Sequence, residues 1–283
     1  MTGGALALVL SAALVHAGWN ALAKRAENQI AFLWSSVSLA TVIFLPASTG
    51  FLRNGVPAEA VPYVIATIVI HAAYFYALGR ALAGGDFSLV YPIARGLGVG
   101  LVPIGAIALL GERLSPLGVT GIALVVLGIV SVHVAAGGIR GLRRIGGSGM
   151  GWAIATGVTI SAYSLVDKVG VTRMHPLPYL ALMGLGISLL LLPTVVRTRA
   201  LAHEWAINWR AILVAACLNL TAYLLVLFAF RLSKAAYVVA AREISIVFSV
   251  LIGGLWFGEG RMLARLAAAG VVLAGVACVA FAR

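Results

Sequence analysis

Two arginines, Arg95 and Arg242, lie 147 positions apart, each in a run that is otherwise almost free of charge. A guanidinium is always protonated and presents a rigid fork of donors that suits a carboxylate, phosphate or phosphonate. A charge kept inside hydrocarbon costs roughly 2.5–3.5 kcal/mol on insertion scales, so each arginine is a candidate substrate anchor by default. The alternative is structural, with each one holding helix-end carbonyls or a neighbouring carboxylate. Glu243 follows Arg242 directly and is the only carboxylate expected well inside a span, which makes it the leading candidate to carry a coupling proton. Adjacent residues on a helix point about 100° apart, so Glu243 needs a partner other than Arg242. Lys24, His71 and Arg95 are the choices, and a structural ion pair between helices is the competing role.

His16, Asn20 and Lys24 recur every four residues with Trp19 beside them, a polar stripe on one helix face. His71, Tyr74 and Tyr76 in a third span, and Asn219 and Tyr223 in an eighth, would complete a cavity with aromatic walls and a few convergent polar groups. Tyr91 and Tyr237, near the starts of the fourth and ninth spans, extend this candidate substrate-binding set. Any one of these rings has the plainer alternative of a membrane-interface residue or an interhelical hydrogen bond. No catalytic group, metal site or cofactor is expected. HExxH, a close acidic pair and a Cys-His set are all missing, and Cys217 and Cys278 sit singly in apolar runs. Gly96-Leu97-Gly98-Val99-Gly100 places its third glycine one residue early for a nucleotide fingerprint and has no strand before it. Gly96 with Gly100 and Gly254 with Gly258 instead have the spacing of close helix packing.

The elements that position these residues follow from composition. Of 283 residues 62% are hydrophobic and 10% charged, and the mean hydropathy is +1.08, against roughly 25% charged in a soluble domain. A soluble globular protein is excluded. The formal charge of +12 is scattered between apolar runs rather than gathered on one face, which argues against a nucleic-acid partner. Runs of spanning length predict an all-α polytopic protein with ten transmembrane helices at 4–23, 30–49, 62–83, 88–110, 115–136, 150–168, 178–196, 209–230, 235–257 and 262–281. The amino terminus has no basic signal-peptide region and is expected to remain as the first helix. Pro92 and Pro103 are expected to bend the fourth helix. Residues 138–149, rich in Gly and Arg, divide the chain into halves 1–137 and 150–283. A shift of 147 lays Arg95 on Arg242, Gly111-Glu112 on Gly258-Glu259 and Tyr76 on Tyr223, and a shift of 144 lays Lys24 on Lys168 and Trp19 on Tyr163. Five helices per half is an odd number, so the second copy enters from the opposite side and the halves form an inverted repeat.

The five-plus-five arrangement, the Gly-Glu pairs closing the helix 4–5 and 9–10 turns, and Tyr91-Pro92 opening helix 4 resemble the EamA-type branch of the drug/metabolite transporter superfamily. The segment His16 to Lys24 also resembles a subgroup associated with phosphonate-utilisation genes. Val239 stands where the first half has Pro92, so the entry of helix 9 is expected to be less kinked. The resemblance implies ATP-independent secondary transport of a small polar metabolite across the cytoplasmic (inner) membrane, with both termini inside. Alternating access of a cavity between the halves is the expected mechanism, with an anionic or zwitterionic substrate, lipid as the surrounding partner and a monomer or homodimer as the assembly. A lipid flippase and a membrane-embedded enzyme are the alternatives. Counting Lys and Arg gives eleven on the side of the odd-numbered connections and seven on the other, and on the positive-inside rule this places the termini outside, against the topology that the resemblance implies.

Overall fold

An apolar run in hydrocarbon has no water to satisfy its amides, so each must bond within its own segment or within a closed barrel. A computed structural model of the chain describes residues 1–23, 26–53, 55–84, 87–135, 148–248, 250–251 and 262–282, with the side chains of 20, 21, 82–84, 87–91 and 148 also outside the description. The described residues contain no strand. They form α1 (Gly3–Ala23), α2 (Gln29–Ser48), a 3₁₀ turn (Thr49–Leu52), α3 (Val61–Gly84), α4 (Phe87–Leu110), α5 (Pro116–Ala135), α6 (Ser148–Arg173), α7 (Pro176–Thr198), α8 (Leu201–Leu232), α9 (Ala235–Arg242) and α10 (Met262–Phe281). Among these residues eight helices are long and apolar enough to cross a membrane, and α1 adds the shorter apolar stretch Gly3–Trp19. Large apolar side chains face outward, with Val42 68%, Leu109 76% and Leu263 85% exposed, a surface that suits lipid and not water. The chain is a multi-pass membrane protein.

Three elements depart from the expected spans. α6 continues past 168 to Arg173. α8 begins at Leu201 and kinks at Asn208 (φ −121°, ψ 16°), joining a short surface helix to the span expected from 209. The helix expected over 235–257 stops at Arg242 and turns at Glu243–Ile244 before residues 245–248 resume helical geometry. At this break the amides of Glu243 and Ile244 bond three residues back, to Ala240 O and Ala241 O, each at 3.2 Å, the tightened last turn common at helix ends. The residue opposite Pro92 therefore tells nothing of the real break, which needs no proline.

Packing joins the two ends of the sequence. α5 lies along α10, α2 along α7, α1 against α8, and α6 against α3 and α4. Gly121 and Gly275 let α5 and α10 approach backbone to backbone, since a Cβ on either would stand 2.7 Å from the carbonyl oxygen of the other. Gly96 and Gly100, expected to do this work on α4, have nothing within 4 Å of their Cβ positions. Gly98 takes the role instead, against Ile160, with Gly157 of α6 against Ala94 O. Two residues on a helix differ by about 200°, so the spacing identified a packing face but not which one. Gly254 to Gly258 lie outside the described residues.

The Gly-Glu turn has a concrete function. Gly111 takes φ +65°, the left-handed conformation that ends α4. Glu112 then accepts from the amides of Ala235 at 2.5 Å and Ala236 at 3.3 Å, capping the first turn of α9. The Met1 ammonium donates to Ala282 O at 2.5 Å and Ala280 O at 3.3 Å, so the start of α1 and the end of α10 lie side by side at one end of the bundle.

Candidate functional site

Arg95 sits on α4 and is 6% exposed. Its Nη2 lies 2.9 Å from Glu243 Oε1 and its Nε donates to Oε2 at 3.2 Å, a two-point ion pair between the halves. Of the partners considered for Glu243, Arg95 is the one found, and this geometry fits the structural ion-pair role. Arg242, the last residue of α9, is also 6% exposed. Its Nε–H has no hydrogen-bond partner among the described residues. The groups within its electrostatic reach are Tyr163, Arg95, Glu243 and Tyr223, and it acts in turn on His16 and His71.

These neighbours form an aromatic wall. His71 on α3 stacks on Tyr163 of α6 at 4.2 Å and 25°, and meets the edge of Tyr223 on α8 at 5.6 Å and 86°. Tyr74 packs edge-on against Tyr163 at 5.6 Å. On α1, Trp19 Nε1–H donates to His16 Nδ1 at 3.1 Å, which fixes that nitrogen as an acceptor. Asn219 is half-buried on α8. His16, His71, Tyr74, Tyr223, Arg95, Arg242 and Glu243 thus converge where α1, α3, α4, α6, α8 and α9 meet.

Two of the candidates lie elsewhere. Tyr76 is 49% exposed and packs on Trp152. Tyr237, although buried, has its hydroxyl committed to Ser115: it accepts from the backbone amide at 3.0 Å and lies 3.3 Å from Oγ, which locks the α4–α5 connection. The side chains of Asn20 and Tyr91, and all of Lys24, lie outside the described residues.

The residue that sequence reasoning missed is Asp167. It lies one residue before the end of the span expected to close at 168 and was not singled out. With α6 running to Arg173 it lies well inside, 0% exposed. Its Oδ1 accepts from Thr67 Oγ1 at 2.5 Å and Tyr179 OH at 2.8 Å, and its Oδ2 accepts from Tyr223 OH. The signal was present in Val169-Gly170-Val171, an apolar continuation after Lys168. Lys168 did not mark the interface. Its ammonium donates to Phe230 O and, at 2.8 Å, to Ser233 O, satisfying the end of α8. Glu204 was missed as well. It is 1% exposed and accepts from Asn28 N at 2.8 Å and Asn208 Nδ2 at 2.6 Å, anchoring the α8 kink.

Residues 147–281 match the EamA-like transporter family. The spermidine export protein MdtI of Salmonella arizonae is 30% identical over 121 residues, covering 94% of that protein and 43% of this chain. That of Citrobacter koseri is 29% identical over the same shares. A solved protein crystal structure superposes with a TM-score of 0.74 over 99% of both chains at 16% identity, a likeness of fold. A membrane of long apolar helices with these relatives has one reading: the chain belongs to the drug/metabolite transporter superfamily, as an EamA-type transporter.

Proposed function

We propose that this membrane transporter is a secondary active carrier of a small polar metabolite, anionic or zwitterionic, that opens a central cavity alternately to the two sides of the cytoplasmic membrane. The observation that carries this reading is Arg242, buried among aromatic rings with Nε–H unpartnered among the described residues. An unmatched buried donor is costly, and an incoming carboxylate or phosphate oxygen would remove that cost. Arg95 does not compete for the ligand in this state because Glu243 holds it. The reading treats residues 1–137 and 150–283 as inverted repeats joined by 138–149. Its support is the packing: exchanging the halves turns α1 on α8 into α6 on α3, and leaves α2 on α7 and α5 on α10 unchanged. Such a bundle rocks about the meeting of its halves, which the Arg95–Glu243 pair bridges. Energy comes from a proton gradient or from exchange, and the ligand is relocated unaltered.

A ligand that binds only the folded state raises the apparent stability of that state. In a thermal-shift screen of the purified protein in detergent, carboxylates, phosphonates or amino acids are expected to raise the melting temperature of the wild type and not of Arg242→Ala, which itself stays folded. An Arg242→Ala protein that binds the same anion normally removes the site assignment. One observation favours a second reading, that the matched relatives are named for export of spermidine, a polycation. Stabilisation by polyamines that survives Arg242→Ala would support it and reduce Arg242 to a structural role.

A further inference from the structure

We propose that the coupling proton of this transporter resides on Asp167, reached from the cavity through His71 and Thr67. The proposal rests on the carrier reading above, although its test requires no substrate.

Three donors surround the Asp167 carboxylate, and all are hydroxyls: Thr67 on α3, Tyr179 on α7 and Tyr223 on α8. No cation is ion-paired to it among the described residues. A guanidinium or ammonium can only donate, so protonating its partner carboxylate breaks the match; a hydroxyl donates or accepts as required. The Arg95 partner of Glu243 is of the first kind, and the cage of Asp167 is of the second. Tyr179 even has its second acceptor in place, since its hydroxyl lies 3.3 Å from Tyr63 O and 2.8 Å from Asp167 Oδ1. Both charge states of Asp167 therefore have a complete set of bonds in one backbone geometry.

The path to it is also built. His71 Nδ1 lies 3.0 Å from Thr67 O and 3.0 Å from Thr67 Oγ1. A carbonyl can only accept, so Nδ1 carries the hydrogen and Nε2, which has no hydrogen bond among the described residues, is left as the acceptor. A proton arriving at Nε2 lets the Nδ1 proton pass to Thr67 Oγ1, whose own proton passes to Asp167 Oδ1. One bond to hydrogen forms and one breaks at the threonine oxygen, the imidazole ends as the Nε2–H tautomer, and the carboxylate ends neutral. Thr67 O then faces a bare Nδ1, which favours the return.

The other groups around the cage are accounted for. From α9, Arg242 acts on His71 and Tyr223, the two members of the aromatic wall next to Asp167. From α4, Arg95 is paired with Glu243. On α6 itself Tyr163 stacks on His71, and Lys168 is turned to the α8 carbonyls. Tyr223 donates to Asp167 and lies within electrostatic reach of Arg242, which links anion occupancy at Arg242 to the protonation of Asp167.

The sequence makes the test clean, because Asp86 and Asp167 are its only aspartates. In Asp86→Asn, Asp167 is the sole aspartate, so no change at the site itself is needed. The acid-minus-alkaline infrared difference spectrum of the reconstituted protein is expected to contain a carboxylic C=O band. It should move when aspartate is labelled with ¹³C at the side-chain carboxyl, in the wild type and in Asp86→Asn alike, persist in Glu243→Gln, and vanish in Asp167→Asn. No label-sensitive band, or a band lost only in Glu243→Gln, overturns the proposal. Thr67→Val removes the relay hydroxyl and keeps the carboxyl. After a pH jump its band is expected to rise more slowly, on the order of tenfold or more, and an unchanged rate overturns the relay.

Discussion

At the scale of single residues the centre of the protein is an arrangement of four charges with unequal constraints. Arg95 and Glu243 satisfy each other, Asp167 is satisfied by hydroxyls, and Arg242 is left with an open donor. Removing one member of a buried pair strands the other, at a cost of about 3–5 kcal/mol, whereas replacing both by apolar groups is close to neutral. Glu243→Gln should therefore lower the melting temperature in detergent substantially, and Arg95→Met with Glu243→Leu should recover most of the loss; a double variant no better than the single would show that the pair does not act as a unit. Arg95, Arg242, His16 and His71 were legible from sequence because a polar side chain in a long apolar run is conspicuous. Asp167 was not, because whether a charge lies at the edge or inside a span depends on where the helix ends. α6 runs on through Lys168 because the α8 carbonyls take up its ammonium, a partner that no local window of hydropathy contains.

At the scale of elements, motifs turned out to act across the chain and not locally. Gly111-Glu112 reads in sequence as a helix-ending turn, and Gly111 does end α4. The carboxylate of Glu112, however, caps α9, whose own N-cap residue Lys234 supplies no side-chain cap. Loss of a side-chain cap costs about 1 kcal/mol. Glu112→Ala is accordingly expected to destabilise the protein by that order and to raise amide hydrogen exchange selectively at Ala235 and Ala236; uniform exchange across α9 would reject the cap. The span boundaries were read to within a few residues for most helices, since length and apolarity are fixed by the bilayer. They failed for α6, α8 and α9, where a half-buried lysine, a kink at Asn208 and a turn at Glu243–Ile244 intervene.

At the scale of the whole molecule, α2–α7 and α5–α10 are the two contacts between the halves that pair an element with its own counterpart, and these two seams differ. α5–α10 is sealed by glycine-to-glycine backbone contact. α2–α7 is joined by hydrogen bonds, Trp34 Nε1 to Ser188 O and Ser38 Oγ to Ser188 Oγ, each at 2.9 Å. A carrier that rocks its halves must loosen one seam, and hydrogen bonds re-form against water or substrate more readily than a close-packed ridge. Ser38→Cys with Ser188→Cys should cross-link on oxidation and arrest transport, with recovery on reduction; full transport by the cross-linked protein would mean that this seam stays closed throughout the cycle. Gly121→Val should instead destabilise the fold by about 1–3 kcal/mol, read in the same melting assay.

The class of the protein, the number and approximate limits of most of its helices and the presence of buried arginines are properties of one-dimensional pattern. Hydrocarbon punishes an exposed amide or charge wherever it lies in the sequence, so composition and run length suffice to read them. Which arginine is paired, which glycines touch, where α9 breaks and that Asp167 is interior were decided only by the tertiary structure. Each depends on a partner distant in the sequence, as with Arg95 and Glu243, 148 residues apart, or Thr67 and Asp167, 100 apart, and on the angular phase of one helix against another, which small shifts in a helix boundary are enough to change.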